Sequence, residues 1–447
     1  IYNVVANVVT MLNFFTGTMT SATQRFFAYS LGKNDLKGYN DIFSISISLF
    51  SIMSLIVVII GGFIGGWAVK SVLVIPVDRM DAAMTAFVCS LFMFLCHVMM
   101  IPYTASIIAH EHMQAFAYIS IADGVLKLLL VYLLSIAPCD KLIAYSALMA
   151  GETLLILFIY YYYCRSKYEE CRFRIMRDRS ITKQLFSYTG WTLFGSVSGI
   201  LATQGQNILL NIFFGPLINT AKAIADRIYS VITSFSQNFY TAVSPQIVMN
   251  YATGEKDKMI KLGFCSSKYA FFLLLILSSV LVTNTEDLLT LWLGSDNVSN
   301  DMLIFTQLSI AYAQVSILEQ PITQMVRATG IIHKYQMKTG LVTLSFIPIA
   351  YLILKIGTPA WSTMLALMII YVFAHIVRLF VAKELLGISI QMYLKRVIIP
   401  IGIILCLTAP MTMLLTTTLA LKNIYLSILL KSIAILLFVI IAIYCLG

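Results

Sequence analysis

Residues 219–257, NTAKAIADRIYSVITSFSQNFYTAVSPQIVMNYATGEKD, read as one long apolar helix that carries Lys222, Asp226 and Arg227 inside its length. Polar residues then recur at Tyr229/Ser230, Thr233, Ser236/Gln237, Tyr240 and Ser244. Steps of three and four put them on one helical face, so this helix is expected to present a polar wall. Its tail, Pro245-Gln246 and then Tyr251-Ala252-Thr253-Gly254-Glu255-Lys256-Asp257, echoes an earlier stretch. There Thr23-Gln24 precedes Tyr29-Ser30-Leu31-Gly32-Lys33-Asn34-Asp35, 222 residues upstream. Pro102-Tyr103-Thr104 with Ala109 likewise matches Pro321-Ile322-Thr323 with Ala328, at an offset of 219. The chain is therefore expected to be two copies of one design.

The surrounding composition fixes the solvent. A chain of 447 residues that is 60% hydrophobic, 11% charged and of mean hydropathy +0.88 has apolar runs of bilayer length almost without pause. This predicts an all-α, polytopic transmembrane protein. The net charge of +10 suits basic cytoplasmic loops better than nucleic acid. The eight cysteines show no CxxC spacing, so neither a disulfide framework nor a structural metal is expected, and no cofactor. A Gly-rich phosphate loop, a nucleophile elbow and an HExxH motif are all missing, which argues against an enzyme. His110-Glu111-His112 has the wrong spacing for two ligands on one helix face.

Thirteen spans are expected, at about 1–29, 42–69, 83–109, 115–137, 142–164, 186–214, 219–250, 264–283, 302–328, 337–356, 361–382, 397–418 and 425–446. The repeat implies a fourteenth, the partner of 186–214, ahead of residue 1. Gly61xxxGly65 and Gly62xxxGly66 suit close helix packing. Asp287-Leu288-Leu289-Thr290-Leu291-Trp292 reads as a short interfacial helix. Arg165, Lys167, Arg172, Arg174, Arg177, Arg179 and Lys183 crowd one linker between apolar blocks. With that linker cytoplasmic, inner loops hold about nineteen Lys/Arg against about six outside. The division expected is an N-terminal lobe at 1–164, a basic cytoplasmic linker at 165–185, a C-terminal lobe at 186–382 and an additional C-terminal helix pair at 383–447.

Ionisable residues inside spans cost roughly 2.5–3.5 kcal/mol each at a helix centre, so they face a cavity or a partner. Arg25 shares the polar face of its helix with Asn7 and Gln24, and Gln206 lies on a small or polar face of the 186–214 helix. With Asp226 and Arg227 these form the expected substrate-facing set. Asp123 and Lys127, four apart, read as a self-neutralising pair. Glu152 and Glu319 have no adjacent base in sequence and are the candidate proton-coupling groups. Glu319 also precedes Gln320-Pro321, where a kink is expected.

Several stretches carry a family resemblance: 73–83 (LVIPVDRMDAA), 101–111 (IPYTASIIAHE), 190–195 (GWTLFG), 207–216 (NILLNIFFGP), 244–247 (SPQI), and Ala328-Thr329-Gly330 with Lys334-Tyr335-Gln336. In this order they resemble the Wzx-type polysaccharide flippases of the multidrug/oligosaccharidyl-lipid/polysaccharide exporter (MOP) superfamily. The resemblance spans nearly the whole chain. It implies two pseudo-symmetric lobes around a central cavity, with alternating access. It also implies flipping of undecaprenyl-pyrophosphate-linked oligosaccharide across the bacterial inner membrane, for surface polysaccharide or lipopolysaccharide biosynthesis. Family cavities are cationic, with charges on the second and eighth helices, where Arg25, Asp226 and Arg227 fall here; the family's first helix has no counterpart in the chain. Implied partners are the lipid-linked oligosaccharide, membrane lipids, a coupling proton or sodium ion, and a polysaccharide polymerase. A drug or cation antiporter of the same superfamily is the competing reading.

Overall fold

The computed structural model describes residues 13–71, 79–136, 140–176, 178–418 and 424–446, and every regular element among them is helical. The first five helices are α1 (Asn13–Gly32), α2 (Leu36–Ser71), α3 (Met80–Ala109), α4 (Met113–Ile136) and α5 (Lys141–Lys167). Then come α6 (Arg179–Phe214), α7 (Pro216–Ala252), α8 (Lys256–Thr283) and the short α9 (Thr285–Leu293). The expected span 302–328 is two helices, α10 (Asn300–Ile317) and α11 (Glu319–Ala328). The span 337–356 is likewise two, α12 (His333–Leu344) and α13 (Phe346–Lys355). The chain continues with α14 (Ser362–Leu386), a one-turn helix and a π-turn over 390–398, α15 (Ile399–Thr418) and α16 (Ile424–Leu446).

The repeat is visible in the helix starts. Leu36 and Lys256, Met80 and Asn300, and Met113 and His333 open corresponding helices 220 residues apart.

Among the described residues ten helices are long and apolar enough to cross a membrane. The three expected spans outside this set fall on α1, α6 and α7. These are the helices whose polar faces lower their hydropathy, while α6 and α7 run to 36 and 37 residues. The rows of bare Ile, Leu and Phe on α2, from Ile52 to Phe63, are the surface a bilayer covers. This is a multi-pass membrane protein.

Local chemistry sets the helix ends. Gly215 takes φ +79°, a left-handed conformation that a side chain would strain, and Pro216 opens α7 with the one residue that has no amide to leave unsatisfied. Asp140 caps α5 by accepting from the amides of Leu142 at 2.9 Å and Ile143 at 3.3 Å, and it pairs with Arg79. These bonds hold its carboxyl below the usual range, the backbone amide of Leu142 being the largest cause.

The chain divides into two units, Ile1–Leu193 and Phe194–Gly447. In the first, α3 lies among α1, α2 and α5, around Phe50, Phe87, Phe94 and Ile101. A Cβ on Gly65 would overlap the Phe87 ring, so this glycine serves close packing against α3, whereas Gly61 and Gly62 make only ordinary contact with Leu91 and Gly66 faces open space. Residues 168–174 are strapped to the same unit. Asn40 donates to the carbonyls of Glu170 (2.6 Å) and Arg172 (2.7 Å), and His110 Nε2 lies 2.7 Å from Glu170. The Tyr168 ring stacks on His110 with centroids 4.0 Å apart. The His110-Glu111-His112 turn is thus a clamp for the strap.

In the second unit, α7 packs on α8, α10 and α11, and α14 packs on α10 to α13. The terminal pair, α15 and α16, lies against α8. Lys431, buried in the first half of α16, is neutralised by Asp287 of α9 at 2.9 Å.

Candidate functional site

Of the polar wall of α7, Tyr229, Thr233, Ser236, Tyr240 and Ser244 face into the second unit, while Ser230 is exposed. Pro321 has no amide, so the carbonyl four residues back, that of Ile317, loses its helical partner. Tyr240 of α7 donates its phenol to that carbonyl at 2.8 Å. One turn on, Ser244 donates to Gln324 Oε1 at 3.1 Å. The break at Leu318 makes Glu319 the first residue of α11, where the helix dipole favours a carboxylate. From α14, Arg378 reaches it, Nη2 to Oε2 at 2.9 Å.

Around this pair lies a cavity of about 350 Å³ walled by α6, α7, α10, α11, α12 and α14. Its lining is mostly hydroxyl and amide: Tyr229, Tyr335, Tyr371, Thr339 and Gln336 among others. A second cavity of about 190 Å³, against α7 and α10, shares Tyr229, Glu319, Gln320 and Tyr371 with it. The aromatic rings order one another. Tyr229 stacks on Tyr312 at 5.2 Å, and Tyr371 meets Tyr312 edge-on at 5.0 Å. Tyr335 Oη and Thr323 Oγ1 lie 2.5 Å apart. Gly195 of α6 admits the Gln336 side chain, which a Cβ there would overlap.

The charged residues lining the larger cavity are Arg327, Arg378 and Glu319, one net positive charge. Arg378 is 6% exposed, and its Nε and Nη1 make no hydrogen bond.

The residues singled out in the sequence are placed as follows. Glu319 lies in the cavity wall, supplied with a base by α14 rather than by its own helix. Asp226 pairs with Lys222 one turn before it, and Arg227 is exposed on another face of α7. Gln206 is buried and donates to Thr363 Oγ1 at 3.0 Å, joining α6 to α14. Gln24 is buried in α1. Half-buried Arg25 sits among rings, its guanidinium 4.8 Å from Phe26, 5.0 Å from Tyr29 and 5.7 Å from Tyr188. Asn7 lies outside the described residues. Glu152 is 6% exposed on α5 and within hydrogen-bonding reach of Asp123 on α4, which also holds Lys127 at 2.7 Å.

Sequence reasoning missed Arg378, Arg327, Tyr371 and Gln336. For Arg378 the signal existed: an ionisable residue inside an apolar span, as at Arg25.

Known structures align with this architecture across both units. A MATE transporter solved in complex with MaL6 superposes with a TM-score of 0.72 at 14% identity, covering 87% of this chain and 89% of that one. The fold is the two-lobed MATE fold. An outward-facing multidrug resistance MATE transporter of the MOP superfamily matches at TM-score 0.70 and 14% identity, over 86% and 88% of the two chains. A MOP-superfamily transporter from Pyrococcus furiosus, whose reverse polarity of binding pocket suggests a different function, matches at 0.72 and 13% identity over 86% and 88%. No protein-family model matches the chain, and no curated protein does.

Proposed function

We propose that this protein flips lipid-linked oligosaccharide across the bacterial inner membrane, on the MATE fold and by alternating access. One observation carries the reading: the cavity of the second unit is lined by hydroxyls and amides, with two arginines against one carboxylate. Polyhydroxylated substrates need that density of donors and acceptors, and a polyprenyl tail needs none of it because it stays in lipid. A lipophilic cation calls for the opposite, an apolar wall and unpaired carboxylates. Glu319 is paired with Arg378 at 2.9 Å. Arg25 remains the proposed contact for the pyrophosphate, its fork suited to two parallel hydrogen bonds. Glu152 and Glu319 remain the proposed coupling groups, and a polysaccharide polymerase the proposed partner.

The drug or cation antiporter has one observation in its favour, the closely spaced carboxyls of Asp123 and Glu152 in the first unit. Proteoliposomes separate the two. Purified protein should move a fluorescent undecaprenyl-pyrophosphate-linked oligosaccharide between leaflets and leave ethidium untransported. Ethidium transport without movement of the lipid-linked sugar refutes the proposal.

A further inference from the structure

We infer that the corner between α14 and α15 is a binding site for an anionic phospholipid of the cytoplasmic leaflet, with Lys395 and Arg396 holding its phosphate. The inference is independent of the oligosaccharide reading.

The corner has an anchored backbone. α14 ends at Leu386, and Gly387 turns the chain with φ +73°. Ser389 then opens the one-turn helix 390–393 by accepting from the Met392 amide at 3.2 Å. Tyr393 pins that helix. Its side chain is fully buried, its ring meets Phe264 of α8 edge-on with centroids 5.3 Å apart, and its Oη lies 3.1 Å from His375 Nε2 of α14. Val397 is buried as well. Between these two anchors, on the π-turn 394–398, Leu394, Lys395 and Arg396 are all exposed. Such wide turns are rare in helices and frequent functional sites.

The two cations have no counter-charge. Among the described residues neither makes an ion pair or a side-chain hydrogen bond. From Leu385 to Gly447 the sequence has no acidic residue. The acid just before, Glu384, lies 3.7 Å from both Lys334 and Lys338 of α12 and is balanced by them. Adjacent like charges repel, so a phosphate that bridges Lys395 and Arg396 gains from both. The arginine fork takes two phosphate oxygens, and the lysine adds a point charge. Exposed Lys261, one turn before Phe264 on α8, brings a third unpaired cation to this end of the unit.

Apolar neighbours decide between a lipid and a soluble phosphate. Met392, Leu394 and Ile399 flank the cations and are 41%, 45% and 54% exposed. Apolar side chains beside cations are the pattern of an interfacial segment, whose apolar part acyl chains cover while headgroups meet the charges. A free phosphate would leave all three in water.

The test is native mass spectrometry of the purified full chain, released from mixed micelles with equal amounts of dioleoyl phosphatidylglycerol and dioleoyl phosphatidylcholine. A cation near an anionic surface is worth roughly fivefold in affinity, so wild type should retain phosphatidylglycerol about tenfold or more over phosphatidylcholine. Arg396→Gln should cut that preference about threefold or more, and Lys395→Gln/Arg396→Gln should nearly abolish it. Lys334→Gln removes a cation that Glu384 balances and should leave the preference unchanged. Equal losses from Arg396→Gln and Lys334→Gln would show diffuse attraction to surface charge and overturn the inference. Displacement of the bound lipid by glycerol 3-phosphate overturns it too, as does wild-type indifference to the two lipids. Thermal stability gives a second reading. Phosphatidylglycerol should raise the Tm of wild type more than phosphatidylcholine does, and the double variant should lose that difference while matching wild type in phosphatidylcholine. A double variant that melts lower in phosphatidylcholine would make the two cations structural and overturn the site.

Discussion

The Tyr240 phenol donates at 2.8 Å to the Ile317 carbonyl, the one that Pro321 deprives of its amide partner. The bond ties α7 to the break between α10 and α11, two residues before Glu319 begins its helix. Tyr240→Phe leaves a buried carbonyl unsatisfied and should cost about 1–3 kcal/mol. A lowered Tm in detergent, together with reduced flux, checks this. An unchanged Tm means that the break is held elsewhere.

Glu319 and Arg378 should behave as a pair. Breaking a buried ion pair from one side costs about 3–5 kcal/mol, and the lower end applies because Glu319 remains 23% exposed. Arg378→Gln and Glu319→Gln should each destabilise, and the double variant should be more stable than the sum of the two predicts. Thermal unfolding of the four proteins measures the coupling. Strict additivity would show that the pair contributes nothing.

Much of this site is legible in the sequence, for reasons that also mark the limit. The spacing of Tyr229, Thr233, Ser236, Tyr240 and Ser244 fixes a face because the helix period fixes it. Gln320-Pro321 announces the break because proline cannot donate. The repeat places helix starts, since duplicated sequence duplicates boundaries. The partner of Glu319 is a different matter. Arg378 lies 59 residues on, and spacing within a helix does not state which helices pack together. Asp226 and Arg227 illustrate the same limit on a smaller scale. Adjacent residues point about 100° apart on a helix, so one meets Lys222 while the other is exposed. Gln206 shows that a polar face also serves as interhelical glue, here to Thr363.

Gly195→Val should close the cavity. Its side chain would overlap Gln336, and further volume fills space that the proposed oligosaccharide substrate would occupy. Flux should fall at least tenfold, with expression and membrane insertion unchanged. Wild-type flux through this variant would separate the cavity from transport.

The linker gives a topology test with its own control. Ile175 is 90% exposed and is expected on the cytoplasmic side. Cys171, four residues earlier, is buried, and burial pushes its thiol up to about 12. At pH 8 the thiolate fraction is negligible, and it stays so until pH rises towards that value. Ile175→Cys, in a background that keeps Cys171 and lacks the remaining native cysteines, should take a maleimide from the cytoplasmic side only. Native Cys171 should stay unlabelled until the protein is denatured. Labelling of Ile175→Cys from outside intact cells would invert the topology.

The most direct measurement is the rate at which undecaprenyl-pyrophosphate-linked oligosaccharide crosses proteoliposomes containing equal amounts of folded wild-type or Arg378→Gln protein. Losing a charge-assisted contact of about 1.5–3 kcal/mol should slow the variant by roughly tenfold or more, while Arg378→Lys recovers part of the rate. Equal rates for wild type and Arg378→Gln would contradict the account, because the cavity of the second unit would then have no part in moving the sugar.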